Sequence, residues 1–509
     1  MTWQSIATDL ILISPIMLLC ITALVVVVVD WFLRPERSFY VGHLSLIGLA
    51  TNALLLSYLL SKLLVPETAH QAFSPPLGVF ANRMILDPLG LFFMWFFVMA
   101  ALATVLVSLR TRQLQGKRVG EYYSLLLVAT AAMAVVIASR DFLLLYLAIE
   151  TISLPCYVLV GYPRRQRLAT EASLKYMLYG ALASGTMLFG ISYVYGMTGT
   201  TVISEVYTIS PANAVGLGIA LILILAGLGF KMALVPFHFW CPDVYEGAPT
   251  PITAYLAVAS KAAGFAALVR ILYPLFSMVE TGYTIPPVIG RIDPWTIFWV
   301  LSAVTMTLGN LVAIWQTNVK RLLAYSSIAH AGYTAMALTL MNKEALEAII
   351  IYLLVYLVMN LGAFFTVLFI ENATAQCDLS AYRGLVRRSP LLVTVLTIFL
   401  LSLLGIPPTA GFMAKFKMFG ALIKAETRPA VILAIVGIVN TVISAYYYLK
   451  IVKVMVFDEG EEKTPIATEV LDGAILVSLA VAVFALFLFW TPVQQLAAAI
   501  PLSALDFLR

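Results

Sequence analysis

Ionisable side chains stand inside long apolar stretches of this sequence. Glu150 lies in LLLYLAIETISLPCYVL and Lys175 in ATEASLKYMLYG. Lys231 closes the run LGIALILILAGLGFK, and Lys261 sits in ITAYLAVASKAAGFAALV. His330 falls in LLAYSSIAHAGYTAMAL and Lys415 in GIPPTAGFMAKFKMFG. One acid, several lysines and an imidazole on separate stretches have the makings of a buried proton relay. An ionisable group at membrane depth is costly and is by default a functional group. A lysine out of water loses affinity for its proton, because its charged form is poorly solvated, and a nearby carboxylate restores that affinity. A change in the distance or hydration of that carboxylate would then load and unload the lysine.

Each of these residues also has a plainer reading, left open at this level. Glu150 could form a structural ion pair with a lysine. Lys175, near the basic end of its stretch, and Lys417 could snorkel to the interface. His238 and His330 could be satisfied polar groups that fix helix packing, which is the favoured reading for His238. Lys231 and Lys261 are too deep to snorkel easily, so the relay reading is strongest there. Gly180 and Ser184 are spaced for close helix packing rather than chemistry.

The elements that must position these residues follow from composition. The chain has 509 residues, of which 62% are hydrophobic and 11% charged, and its mean hydropathy is +0.97. A water-soluble protein of this size lacks the means to cover such a surface. The class is all-α polytopic membrane protein, with about 14 spans of about 20 apolar residues each. They lie near 8–29, 38–64, 85–109, 122–139, 142–162, 170–197, 214–238, 250–277, 294–316, 319–340, 345–370, 390–425, 430–456 and 470–490. The first apolar run reads as a retained span, since it lacks the form of a cleaved signal. The stretches 65–84 and 278–293 read as loops rich in proline and glycine.

Two spans are expected to break. Pro236 follows Lys231 in the seventh, and Gly405, Pro407, Pro408 and Gly411 interrupt the twelfth ahead of Lys415. A proline inside a helix removes a backbone donor and clashes with the preceding turn. At membrane depth such backbone survives only inside protein or beside a wet cavity. Two interrupted segments at matching places in two halves point to a conduction path. The basic residues Arg34, Arg37, Arg110, Arg112, Lys117, Arg118, Arg164, Arg165, Arg167, Lys320, Arg321, Arg383, Arg387, Arg388, Lys453 and Lys463 follow alternate spans. The positive-inside rule then places both termini on the outer face.

Several chemistries are excluded or disfavoured. The net charge of +5 belongs to membrane orientation and not to nucleic-acid binding. Cys20, Cys156, Cys241 and Cys377 are scattered without metal-ligand spacing. There is no dinucleotide fingerprint, haem motif or cluster motif, so redox chemistry within this chain is not expected.

The run VPFHFWCPDVYEGAPTPITAYLAVASKAAGF is very similar to the proton-translocating antiporter-like membrane subunits of respiratory complex I, the NADH:quinone oxidoreductase. Within that family PDVYEGAPTP resembles subunit N (subunit 2) more than subunits L or M. AIETISLPCYVL, EASLKYMLYGA, LLAYSSIAHAGY, DLSAYRGL and GIPPTAGFMAKF extend the likeness over about residues 120–420, and the combination is highly specific. The closely similar subunits of cyanobacterial and chloroplast complexes share it, and a subunit of a multi-subunit cation/proton antiporter is the alternative.

The resemblance implies a fold with two inverted five-helix repeats. It divides the chain into 1–120 (the first three helices), 121–280 (the first repeat), 281–456 (the second repeat) and 457–509 (a last helix and tail). It implies that Glu150 pairs with Lys231, that Lys261 is the central-axis lysine and that Lys415 serves the outer exit, with Lys175 and His330 as auxiliary relay residues. It also implies that NADH, FMN, iron–sulfur clusters and quinone are bound by other subunits and none by this chain. The expected partners are those subunits, a neighbouring antiporter-like subunit and small membrane subunits among them, in the inner membrane of a bacterial cell. The tail TPVQQLAAAIPLSALDFLR receives no role.

Overall fold

An apolar run in hydrocarbon must satisfy every backbone N–H and C=O within its own segment, which makes it helical. In the computed structural model, which describes residues 13–34, 37–64, 77–79, 83–114, 118–206, 214–280, 294–340, 342–460 and 464–500, the helices before the first break are α1 (Ser14–Phe32), α2 (Tyr40–Leu64), α3 (Pro88–Ser108), α4 (Gly120–Ala138), α5 (Phe142–Val160), α6 (Arg167–Thr198) and α7 (Ala214–Met232). Then come α8 (Trp240–Gly247), α9 (Thr250–Tyr255), a π turn at Leu256–Ser260 and α10 (Lys261–Glu280). The chain continues through α11 (Pro294–Ile314), α12 (Val319–Ala337), α13 (Lys343–Thr374), α14 (Pro390–Leu404), α15 (Ala410–Lys424), α16 (Arg428–Val456), α17 (Val470–Leu488) and α18 (Trp490–Ala498).

Among the described residues, 12 helices are long and apolar enough to cross a membrane. Two other expected spans are helical but fall outside that number. One is α12, whose Lys320, Arg321, Ser326, Ser327 and His330 lower its hydropathy. The other is the overlong 390–425 stretch, which is two helices of 15 residues each, α14 and α15. The most buried spans are 250–272 and α13, and they form the centre of the bundle.

The loop expected at 65–84 holds a small hairpin among its described residues. Leu77–Val79 pairs antiparallel with Met84–Leu86, with Leu77 opposite Leu86. Pro88 disfavours helical backbone at the residue before it, and Asp87 caps α3 by accepting from the Gly90 N–H at 2.7 Å. The end of the expected span therefore folds as strand. Met84 bridges Ser139, and Asp141 bridges Val202, so these turns gather at one end of the bundle. The basic turns gather at the other end. There Asn318 bridges Asp378, Arg110 pairs with Asp472 at 2.7 Å, and the Tyr162 hydroxyl donates to the Arg118 carbonyl at 2.9 Å.

The first break falls earlier than the proline alone indicates. Helix α7 stops at Met232, and Ala233 takes a positive φ of 57°. Pro236 offers no N–H and keeps Val235 out of helical backbone, so the chain turns before it. The freed groups find partners: the Val235 N–H donates to Thr305 Oγ1 of α11 at 3.0 Å, and Trp240 Nε1 donates to the Phe230 carbonyl at 2.9 Å. The second break is built alike. Gly405 takes φ 87° after Leu404, and the Gly411 N–H donates to Ser402 Oγ at 3.3 Å.

Gly411 lies against α14 so closely that a Cβ there would stand 1.8 Å from the Ser402 carbonyl oxygen. Backbone cannot yield as a flexible side chain does. Gly411→Ala is expected to cost about 1–3 kcal/mol by overpacking, seen as a melting temperature several degrees lower for the solubilised protein. An unchanged melting temperature would show that the two halves of the break are free to separate.

Candidate functional site

Lys231, Lys261, His330 and Lys415 all stand inside the bundle, each almost wholly buried. The interruptions in α7, in 250–272 and in the α14–α15 pair lie beside the three lysines, and the unbroken α12 carries His330. Lys231 is in the last turn of α7. Lys261 follows the π turn Leu256–Ser260 directly. Such single-turn π segments within helices are frequent at functional sites. Lys415 lies one turn into α15, and its Nζ donates back to the last carbonyl of α14, that of Leu404, at 2.9 Å. A cation at a helix C-terminus is favoured by the partial charge of the free carbonyls.

A line of polar contacts runs from Lys261 to Lys415. Lys261 Nζ donates to Ser327 Oγ of α12 and sits 5.7 Å from the centre of the Tyr245 ring. The neighbouring Ser326 Oγ shares a 2.5 Å hydrogen bond with the Tyr448 hydroxyl. Tyr448 also lies 3.2 Å from His330 Nε2, and His330 Nδ1 is 2.7 Å from the Tyr352 hydroxyl. The His330 and Tyr333 rings are 5.8 Å apart. Lys415 Nζ then lies 4.7 Å from the centre of the Tyr333 ring, a cation–π contact. Tyr333 is held on its far side by Asn310 at 3.4 Å and Thr441 at 3.3 Å. Ser326 and Ser327 stand out in the sequence only as neighbours of His330, and Tyr245, Tyr352 and Tyr448 were not singled out, because tyrosine is an ordinary residue of membrane helices.

Glu150 and Lys231 are less directly joined than the resemblance implied. Glu150 stands within electrostatic range of Lys231, but neither Glu150 Oε1 nor Lys231 Nζ has a hydrogen-bonding partner among the described residues. The two are on α5 and α7, and no ion pair forms between them. Lys231 packs against α10 at Gly264, where a Cβ would stand 3.3 Å from the Lys231 Cβ. His238 is buried at the first break, its ring 4.6 Å from that of Phe239.

Lys175 does not snorkel freely. Its Nζ pairs with Asp243 at 2.7 Å and with Glu171 at 2.8 Å. Asp243 also takes Arg321 at 2.5 Å, and Arg321 reaches Glu246 at 2.9 Å. These groups line a cleft on the basic side, with the Lys175 side chain 38% exposed and that of Asp243 29%. Asp243 and Glu246 belong to PDVYEG, and the sequence reading used that motif for the resemblance without weighing its acids. Two residues beyond Asp243, the Tyr245 ring faces Lys261, so α8 connects the cleft to the axis.

Fold and site define a polytopic membrane protein of antiporter-like architecture with a buried lysine axis. A family described as NADH:quinone oxidoreductase/Mrp antiporter, TM matches residues 139–444, more than half of the chain, and the chain belongs to this family. It is 40% identical over 498 residues to the NADH-quinone oxidoreductase subunit N of Anaeromyxobacter sp. (strain Fw109-5), covering 91% of this chain and 95% of that one. It is 38% identical over 452 residues to the NAD(P)H-quinone oxidoreductase subunit 2 of Thermosynechococcus vestitus (strain NIES-2133 / IAM M-273 / BP-1), covering 88% and 82%. A chain of respiratory complex I from Thermus thermophilus with bound Aureothin superposes with TM-score 0.76 at 32% identity, covering 95% of this chain and 99% of that one.

Asp243 lies outside the spans. Burial alone would raise its carboxyl, but the hydrogen bonds from Lys175 and Arg321 outweigh that and hold it below the usual carboxylate range. A carboxyl with its folded-state affinity lowered stabilises the fold above its unfolded pKa, about 3.9 for aspartate, and loses that contribution as pH falls through the folded value. Asp243→Asn is therefore expected to lower the melting temperature at pH 7, with the difference from wild type closing below about pH 4. A gap of constant size down to pH 3 would contradict the charge pairing.

Proposed function

We propose that this chain is the N-type membrane-arm subunit of a proton-pumping NADH:quinone oxidoreductase, a translocase, and that it moves protons along the buried axis while quinone is reduced in other subunits. The observation that carries this reading is the row of buried polar groups that begins with Lys261 on Ser327, resumes at the adjacent Ser326 with Tyr448 and His330, and ends at the Tyr333–Lys415 pair. Hydroxyls both donate and accept, and an imidazole takes a proton on one nitrogen while releasing one from the other. Such groups can pass a proton onward without moving far.

In this reading protons enter at the cleft of Lys175, Asp243 and Arg321. Glu150 sets the charge felt by Lys231 without touching it. Buried polar atoms that lack a protein partner are ordinarily satisfied by water, so the step from Glu150 to Lys231, and from Lys231 to Lys261, is water-bridged. Lys415, at the second break, delivers toward the opposite face. The chain lies in the inner membrane of a bacterial cell with both termini outward. NADH, FMN, iron–sulfur clusters and quinone are held elsewhere in the complex, and the neighbours of this chain are antiporter-like and small membrane subunits.

The alternative, a subunit of a multi-subunit cation/proton antiporter, shares the fold: a chain of the Mrp complex from Dietzia sp. DQ12-45-1b superposes with TM-score 0.83 at 20% identity, covering 99% of this chain and 98% of that one. Sodium needs oxygen ligands, whereas this axis presents lysines and an imidazole, which favours protons.

Lys231→Met in the assembled complex tests the reading. Turnover of NADH with quinone, and proton pumping in sealed vesicles, are both expected to fall by about tenfold or more, as when a positioned acid–base group is removed. Assembly on a native gel should be unaffected. An assembled variant with wild-type turnover and pumping would leave the axis a scaffold of inert charges.

A further inference from the structure

A second buried charge cluster closes the other end of the first half of the bundle. Arg270 is on α10, about 13 Å beyond Lys261 at 1.5 Å per residue. Its guanidinium takes the Asp87 carboxylate with both ends, each N···O contact 2.5 Å. Its Nε donates to the Ile137 carbonyl of α4 at 2.6 Å. Both side chains are 0% exposed. Asp87 further accepts the Gly90 N–H that caps α3. The cluster thus ties α3, α4 and α10 where the turns of the non-basic end gather. Arg140, in the α4–α5 turn, lies within electrostatic reach of both members of the pair. Burial and then Arg270 lower its proton affinity, while Asp87 opposes them.

The chemistry of this cluster is that of a stop. A guanidinium is not deprotonated in proteins, so Arg270 cannot hand a proton on. Both Asp87 oxygens are already bonded to Arg270, and one also accepts a backbone N–H. A proton arriving there would have to displace a bidentate ion pair that is wholly buried. The additional positive charge of Arg140 raises the barrier further. An arginine at a constriction excludes protons from otherwise polar channels on the same grounds. The contrast with the opposite end is direct: the Lys175–Asp243–Arg321 cleft has partly exposed charges and the Arg270–Asp87 pair has none.

We propose that the Arg270–Asp87 pair, backed by Arg140, is a proton-excluding plug that seals the first half of the bundle at the non-basic face, so that protons on Lys231 and Lys261 come from the basic face and leave only along the axis toward Lys415. The proposal rests on the proton-pumping reading above. Its residues are positioning and insulating groups and take no proton themselves.

The test uses the assembled complex in sealed vesicles with the neutral double variant Asp87→Asn/Arg270→Gln. Decay of an imposed pH gradient is followed without NADH, so the result does not depend on turnover. The plug predicts a decay about tenfold faster than wild type, equal to about 1.4 kcal/mol off the barrier. It also predicts fewer protons pumped per NADH, with NADH oxidation retained. A decay at the wild-type rate in the assembled variant overturns the plug and leaves the pumping reading untouched, because wild-type pumping and Lys231→Met decide that separately. Should the double variant not assemble, Arg140→Gln decides instead: faster decay supports the plug, and wild-type decay overturns it.

Discussion

A lysine ammonium held out of water must be met by oxygen, by a π face or by a counter-charge, and the interior of this protein is arranged around that need. Lys261 meets Ser327 and the Tyr245 ring, and Lys415 meets the Leu404 carbonyl and the Tyr333 ring. The helix breaks serve the same end. An unbroken helix offers no free carbonyl in its middle, whereas the end of α14 offers one to Lys415. Lys231 differs, because its amine has no partner among the described residues and feels Glu150 only through space. Of the axis lysines it is the one whose charge is least held by its surroundings, and so the one most open to change when a neighbouring charge moves.

The two ends of the first half are built from opposite materials. On the basic side, acids and cations share a cleft in which each can exchange partners with water. On the other side a bidentate ion pair is sealed among α3, α4 and α10. Partly exposed pairs of the first kind contribute modestly to stability, whereas breaking a buried pair of the second kind is costly. The asymmetry leaves one end of the first half open to water and the other closed.

Much of the fold was legible in the sequence because hydrocarbon leaves so few alternatives. Apolar runs of membrane length became helices, and Pro236, Pro407 and Pro408 marked both breaks. The first break falls between Lys231 and Pro236 as the sequence indicated, but the turning residue itself was not legible, since Ala233 carries no signal of its own. The hairpin beside Asp87 was hidden in a stretch read as loop. The axis residues Lys231, Lys261, His330 and Lys415 stood out as charges in apolar surroundings. Their partners did not, because they come from distant segments: Ser327 is 66 residues from Lys261, and Asp87 is 183 from Arg270. The implied Glu150–Lys231 contact carried no information about distance, and in the structure the two interact without a direct ion pair.

Lys261 stands between Lys231 and the row of buried polar and aromatic groups that ends at Lys415, so the most direct measurement is the number of protons pumped per NADH oxidised by the assembled complex carrying Lys261→Met. Lys261→Arg, which keeps a charge but cannot release its proton, is measured beside it. If the line is a conduit, both variants lose most of the pumping and turnover although both assemble. If Lys261→Arg pumps as the wild type does, a fixed positive charge is enough at this position, and proton transfer through the lysine is contradicted.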